Sequence, residues 1–229
     1  TGVNSVLMEA LVEAARRGEL PLSGLTVNGR IRKTPPSITE LGRLVLEWRR
    51  AELWLAPGLF GIINDTASIN TCLGLAAARE ALGLGIRSDG MTGRELPQLR
   101  VYASEHAHSS VDKAAYALGF GARGIVRVAS DPSARMDVSA LRDAVQRDLS
   151  AGVRPCAVVA PLGTTSTASV APLPEIVPIA REAGMWVQVA SASAVTATTR
   201  PEQRWCWKGV VVLVSIVCTP PRWAIAPRG

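Results

Sequence analysis

Both histidines of the chain, His106 and His108, fall in one stretch, VYASEHAHSSVDKAA, residues 101–115. An imidazole at the end of an apolar run, just before a helix opens, is a candidate catalytic group. The ordinary alternative is a histidine on a surface loop. Three other stretches share the same context. GIINDTAS, residues 61–68, ends an apolar run and opens a helix at Asp65 or Thr66. The unpaired N–H groups of that first turn, with the hydroxyls of Thr66 and Ser68, suit a phosphate as well as they suit a plain helix cap. APLGTTSTAS, residues 160–169, follows a strand with a cluster of hydroxyls, fit for a polar ligand or for a polar turn. VQVASASAV, residues 187–195, ends a strand in small residues that leave room for a flat ligand and offer no charge.

These stretches need elements to position them. Helical periodicity runs through residues 4–18, 37–53, 66–83, 109–120, 138–152 and 173–184, and Ser37 with Glu40 has capping-box spacing. Between them lie short apolar runs: LRVYAS, GIVRVAS, CAVVAPLG, MWVQVAS and VVVLVSIV. Strands alternating with helices predict an α/β fold around a mostly parallel sheet. Ligands then bind beyond the carboxyl ends of the strands, where all four stretches fall.

Composition narrows the class. Apolar residues make up 48% of the 229-residue chain, enough for a sizeable core. No apolar run has the length of a membrane span, and the amphipathic start of the chain does not read as a signal peptide. The four cysteines, Cys72, Cys156, Cys206 and Cys218, have no metal-ligand spacing and suggest a reducing cytoplasm. The net charge of +6 is spread along the chain without a basic block, which argues against nucleic acid. Lysine occurs only at Lys33, Lys113 and Lys208, and every other basic residue is arginine.

Taken together, GIINDTASINTCLGLAAARE, VYASEHAHSSVDKAAYALGFG and VVAPLGTTSTASVAPLPEIVPIAREAGMWVQV resemble the group II pyridoxal-phosphate (PLP) dependent decarboxylases, the aromatic-L-amino-acid decarboxylase family. KTPPSITELGRLVLEW is similar to the segment that this family places on the substrate side. The resemblance implies the type I, aspartate-aminotransferase-like fold of PLP-dependent transferases, a homodimer with sites at the subunit interface, pyridoxal 5'-phosphate as cofactor and an amino acid as substrate. It puts Ala67 and Ser68 at the phosphate-binding positions, His108 at the ring-stacking histidine and Thr165, in the Thr164–Thr165 turn, near the polar edge of the ring. Ala192 falls at the small residue packed on the opposite ring face, and His106 is left without a role. The implied organisation is an N-terminal helix and substrate-side loop over residues 1–36, then the PLP-binding large domain over residues 37–229, without the smaller C-terminal domain that members carry.

The chain departs from that family at its chemical centre. Loss of carbon dioxide from an amino acid leaves a carbanion, which the protonated ring of PLP absorbs. In the family an aspartate in an HVDAAYAG-like stretch holds the ring nitrogen protonated. Here the stretch reads QVASASAV, so Gln188 stands for the histidine and Ala190 for the aspartate. The family's Schiff-base lysine sits in a PHKW-like stretch. Here CTPPRW puts Pro221 and Arg222 at the histidine and the lysine. A guanidinium stays protonated and cannot replace that amine. Arg30 and Arg32 stand where the family has apolar or aromatic residues, which fits either an acidic substrate or an exposed loop. The expectation is a carboxy-lyase of aromatic-amino-acid type by lineage, with little or no turnover by this polypeptide. The alternatives are a non-catalytic relative or partner subunit and, from another class, a different phosphate-binding α/β protein. That last reading lacks a GxGxxG loop.

Overall fold

The computed structural model describes residues 36–55, 59–192, 201–207 and 215–218. The expected helix over 4–18, the loop with Arg30, Arg32 and Lys33, Lys208, and the CTPPRW stretch beyond Cys218 with Pro221 and Arg222 lie outside the described residues. The chain divides into two compact units, Thr1–Ile63 and Asn64–Gly229.

In the first unit α1 spans Pro36–Glu52. It starts two residues before the first helical position that the Ser37–Glu40 spacing implies, so Ser37 lies inside the helix and not at its cap. Proline has no N–H to leave unpaired, and its fixed φ suits a first helical turn. Charge pairs three residues apart line the helix: Arg43 with Glu40 at 2.7 Å, Arg50 with Glu47 at 2.6 Å, and Arg49 with Glu52. Arg50 also donates to the carbonyl of Leu55 at 2.7 Å, which ties down the chain past the helix end. Trp54, Leu59, Phe60, Ile62 and Ile63 are exposed.

The second unit holds the sheet. Its elements are α2 (Ala67–Ala81), α3 (Ile86–Asp89), β1 (Leu99–Ser104), α4 (Ser110–Ala117), β2 (Ile125–Val128), α5 (Val138–Ser150), β3 (Arg154–Pro161), α6 (Leu173–Glu182), β4 (Trp186–Ala190) and β5 (Ser215–Val217). The strands lie in the order β2-β1-β3-β4-β5, and every neighbouring pair is parallel. The expected fold class is therefore observed. Of the apolar run over 209–218, Ser215–Val217 is described as strand.

Burial follows place in the sheet. Seven of the eight residues of β3 are buried, whereas edge strand β2 buries only Val128. A strand covered on both faces reads as a continuous apolar run, as CAVVAP does. The register of β1 on β3 shifts between Arg100 and Val101, beside Pro155 and Cys156. Proline cannot donate to a sheet ladder, and a bulge is where a central strand can hold one.

Alternate residues of β1 face opposite layers. Val101 and Ala103 pack with Leu75 and Ala78 of α2, Val111 and Ala114 of α4, and Val159 of β3. Tyr102 points the other way, and its hydroxyl donates to Asp148 of α5 at 2.7 Å. Arg100 grips both oxygens of the same carboxylate at 3.1 Å and also donates to the carbonyl of Arg123. Burial, then the hydrogen bond to Asp148, holds the Tyr102 phenol well above its ordinary pKa. The small side chains of α2 let it lie close to the sheet, with Ala78 buried.

Three elements have no periodicity to announce them. The short α3 sits between Gly85 and Gly90, both at positive φ of 64° and 72°. The two 3-10 turns, Ala122–Gly124 and Pro201–Trp207, are too short for any repeat.

Candidate functional site

The sheet order locates the site without reference to any single residue. From β1 the chain moves to β2 on one side, and from β3 it moves to β4 on the other. The loops after β1 and β3 therefore part at a topological switch point, where open parallel sheets form a crevice beyond their carboxyl ends. Those two loops carry His108 and Thr165.

Two helices begin at the same end. Ser110, the first residue of α4, donates from its hydroxyl to Thr71 in the second turn of α2 at 3.4 Å. At the far end Arg79 of α2 donates to the carbonyl of Leu118, past the end of α4, at 2.8 Å. The helices thus run side by side in the same direction, and both N-termini lie at the carboxyl end of the sheet. Each brings partial positive charge and N–H groups without helical partners. Thr66 caps α2 by accepting from the N–H of Ile69 at 3.2 Å, a cap that does not involve the N–H groups of Ala67 and Ser68. Ala67 is half-buried and Ser68 exposed.

His108 is exposed between β1 and α4, and its Nδ1 accepts the backbone N–H of Ser110 at 3.1 Å. In that arrangement the neutral ring carries its proton on Nε2. The ring therefore serves as the cap that α4 otherwise lacks, since Ser109 makes no side-chain cap. His106 is half-buried, with its Nε2 4.0 Å from Glu105.

After β3, Thr164 is the buried threonine of its turn. Its hydroxyl contacts those of Thr167 and Ser169 and accepts the N–H of Ser169 at 3.2 Å. Thr165 is exposed at the tip. The pair divides the work, with Thr164 shaping the loop and Thr165 facing outward.

β4 ends at Ala190, half-buried, and Ala192 lies two residues on, also half-buried. On the same face as Ala190, Gln188 is fully buried. Its Nε2 donates to the carbonyl of Thr71 at 3.4 Å, and its Oε1 has no partner among the described residues. Gly74 of α2 makes room for it, because a Cβ at that position would lie 2.6 Å from Gln188 Oε1. The seat of Gln188 is the feature that sequence reasoning missed. A polar residue centred in WVQVA was its one signal.

The structure brings Ala67, Ser68, His108, Thr165, Ala190 and Ala192 to one end of the sheet by the placement of their elements. Arg222 lies outside the described residues. By the placement of their elements these groups suit a phosphorylated aromatic ligand at its phosphate and at its ring. They do not fit a pyridinium, because no acidic residue occurs in β3, β4 or β5 and the buried Gln188 and Ser191 are neutral.

Comparison with known proteins gives the family. The pattern of the pyridoxal-dependent decarboxylase conserved domain matches residues 18–229. The aromatic-L-amino-acid decarboxylase of Bos taurus is 35% identical over 201 residues, which cover 83% of this chain and 41% of that protein. Tryptophan decarboxylase 1 of Oryza sativa subsp. japonica is 32% identical over 223 residues, covering 92% and 43%. The crystal structure of Oryza sativa TDC with PLP and tryptamine superposes with a TM-score of 0.83 at 32% identity, covering 93% of this chain and 45% of that one. The chain spans about two fifths of the length of the curated relatives it matches. By sequence pattern and by fold, this chain belongs to the pyridoxal-dependent decarboxylase family.

Proposed function

We propose that the chain is the cofactor-binding core of a PLP-dependent amino-acid decarboxylase, a carboxy-lyase of the aromatic-amino-acid type, and that this polypeptide as it stands turns over little or no substrate. The observation that carries the first half is the pairing of two helix N-termini beside the switch-point crevice, within a chain whose relatives include aromatic-amino-acid, tryptophan and tyrosine decarboxylases. Ala67 and Ser68 would hold the phosphate of the cofactor through backbone N–H groups, helped by the first-turn dipole. His108 and Ala192 would flank its ring, and Thr165 would lie toward its polar edge. PLP would supply an electron sink there only with its ring nitrogen held protonated, which Ala190 does not do.

The second half rests on Ala190 and Arg222. Neither supplies what the chemistry requires, a carboxylate at the ring nitrogen and a neutral primary amine. Among the described residues the single lysine is Lys113, exposed in α4 and turned away from the buried core. A non-catalytic partner subunit is therefore the second reading, favoured by the same two positions. The whole protein is proposed to be a cytoplasmic homodimer acting on a free amino acid. The family resemblance supports the dimer and the amino acid, and the thiols of Cys72, Cys156 and Cys206, none in a disulfide, support the location.

One experiment separates the readings. The chain is mixed with PLP, its visible spectrum recorded, and the sample reduced with borohydride for mass spectrometry. The expected result is no pyridoxyl-lysine and no carbon dioxide release from aromatic amino acids. A labelled lysine together with carbon dioxide release would overturn the non-catalytic half. Arg222→Lys with Ala190→Asp should restore a reducible adduct, and its absence in a folded variant would count against the assignment of these positions.

A further inference from the structure

We infer that the carboxyl end of β4 selects a neutral aromatic ring over a pyridinium, with Ala190 as the specificity-determining residue. The inference rests on the cofactor reading above, and it concerns which phosphorylated ring the site accepts.

Charge at this end is arranged for an anion and against a cation. Among the described residues, every buried polar side chain is neutral: Thr71, Ser104, Ser110, Thr164, Gln188 and Ser191. Five of them lie in or next to the carboxyl ends of β1, β3 and β4 or at the start of α4, and the sixth, Thr71, is joined to Ser110. Amides and hydroxyls orient dipoles around a ligand but do not neutralise a cation. The N-termini of α2 and α4 add partial positive charge at the same place, which favours a phosphate and raises the cost of a pyridinium. Gln188 cannot substitute for an aspartate at position 190. It lies two residues deeper in β4 and its Nε2 is engaged by Thr71. Of the carboxylates near this end, Asp65 and Glu105 are exposed to water, Glu105 accepts the N–H of Ser130 at 2.7 Å, and half-buried Asp112 in the first turn of α4 is paired with Arg127 at 2.6 Å. Among the described residues a ring set against the methyl group of Ala190 therefore meets no unpaired carboxylate, and a cation left without a counter-charge is disfavoured there. The ligand class is a phosphorylated aromatic aldehyde or amine with an uncharged ring.

The test uses three phosphorylated ligands on the full 229-residue chain. They are PLP, its N-methyl derivative, which is permanently cationic, and the benzene analogue that has carbon in place of the ring nitrogen. Dissociation constants are measured by equilibrium dialysis at one pH and ionic strength. The benzene analogue should bind roughly tenfold or more tightly than the N-methyl ligand. Ala190→Asp should narrow or reverse that ratio. Ala190→Gly gives the methyl group space without charge, and it should leave the ratio in place. Equal affinity for the two analogues would overturn the inference. So would loss of the difference in Ala190→Gly, since exclusion would then be steric. If Ala190→Asp does not fold by circular dichroism, the wild-type and glycine measurements still decide. Failure of all three ligands to bind would instead overturn the cofactor reading, and the inference with it.

Discussion

The two ends of the parallel sheet treat charge in opposite ways. Near the amino end of β1, Arg100 and Asp148 are 17% and 14% exposed and are joined by paired hydrogen bonds, with the Tyr102 hydroxyl closing the group. At the carboxyl end the buried polar groups are all neutral, and two of them, Gln188 Oε1 and Ser191 Oγ, have no partner among the described residues. The fold can thus hold a shielded carboxylate, provided that its lone pairs and its counter-charge are both supplied. The lack of one beside Ala190 is a local property of the site and not a general poverty of acid in the core. Among the described residues, charge at one end is paired, whereas two neutral dipoles at the other end have no partner.

The sharpest way to break this contrast is Asp148→Ala. It strands Arg100 and Tyr102 together, and the expected loss is about 3 kcal/mol of stability, read from the urea midpoint. A loss under about 1 kcal/mol would mean that the group behaves like an exposed ion pair. Next comes Gly74→Ala, which drives a methyl group against the buried Gln188 amide. Overpacking of this kind should cost about 1–3 kcal/mol. In the Gln188→Ala background the same change should cost much less, and a double-mutant cycle reads the coupling directly. Additive effects would show that the two residues do not press on one another.

The smallest effect concerns pH. The folded state keeps Tyr102 protonated at pH values where the unfolded phenol, near about 10, has begun to ionise. Burial pushes the Cys156 thiol up to about 12 in the same direction. Both pKa values are raised by folding. The stability they provide is therefore complete below the unfolded values and declines as pH rises through the alkaline range. Tyr102→Phe should cost about 1 kcal/mol near neutrality and flatten that decline above pH about 10. Unfolding curves at several alkaline pH values check it, and an unchanged slope would assign the decline elsewhere.

Much of the fold was legible because single strands and helices announce themselves locally. LRVYAS is β1 residue for residue, and Thr66 is the cap that GIINDTAS implied. The helix over 138–152 ends at Ser150, since its last two expected residues form the turn at Gly152. What sequence could not give is pairing across distance. Tyr102 and Asp148 lie 46 residues apart, and Gln188 and Thr71 lie 117 apart. No local pattern joins them, because the sheet order decides who meets whom. The loops of the candidate site were legible, in the strand ends before His108 and before the threonine turn. Its interior was not, since no local pattern told that Thr164 would be buried with Thr165 exposed, or that Gln188 would sit against a glycine.

That seat has a consequence for exchanging segments among relatives. Gly74 and Gln188 belong to different elements, so any crossover between the two positions separates them. A chimera that inherits Gln188 with an alanine at position 74 would carry a clash that neither parent contains, although each parental half is sound. Breakpoints before residue 74 or after residue 188 keep the pair together and avoid that clash.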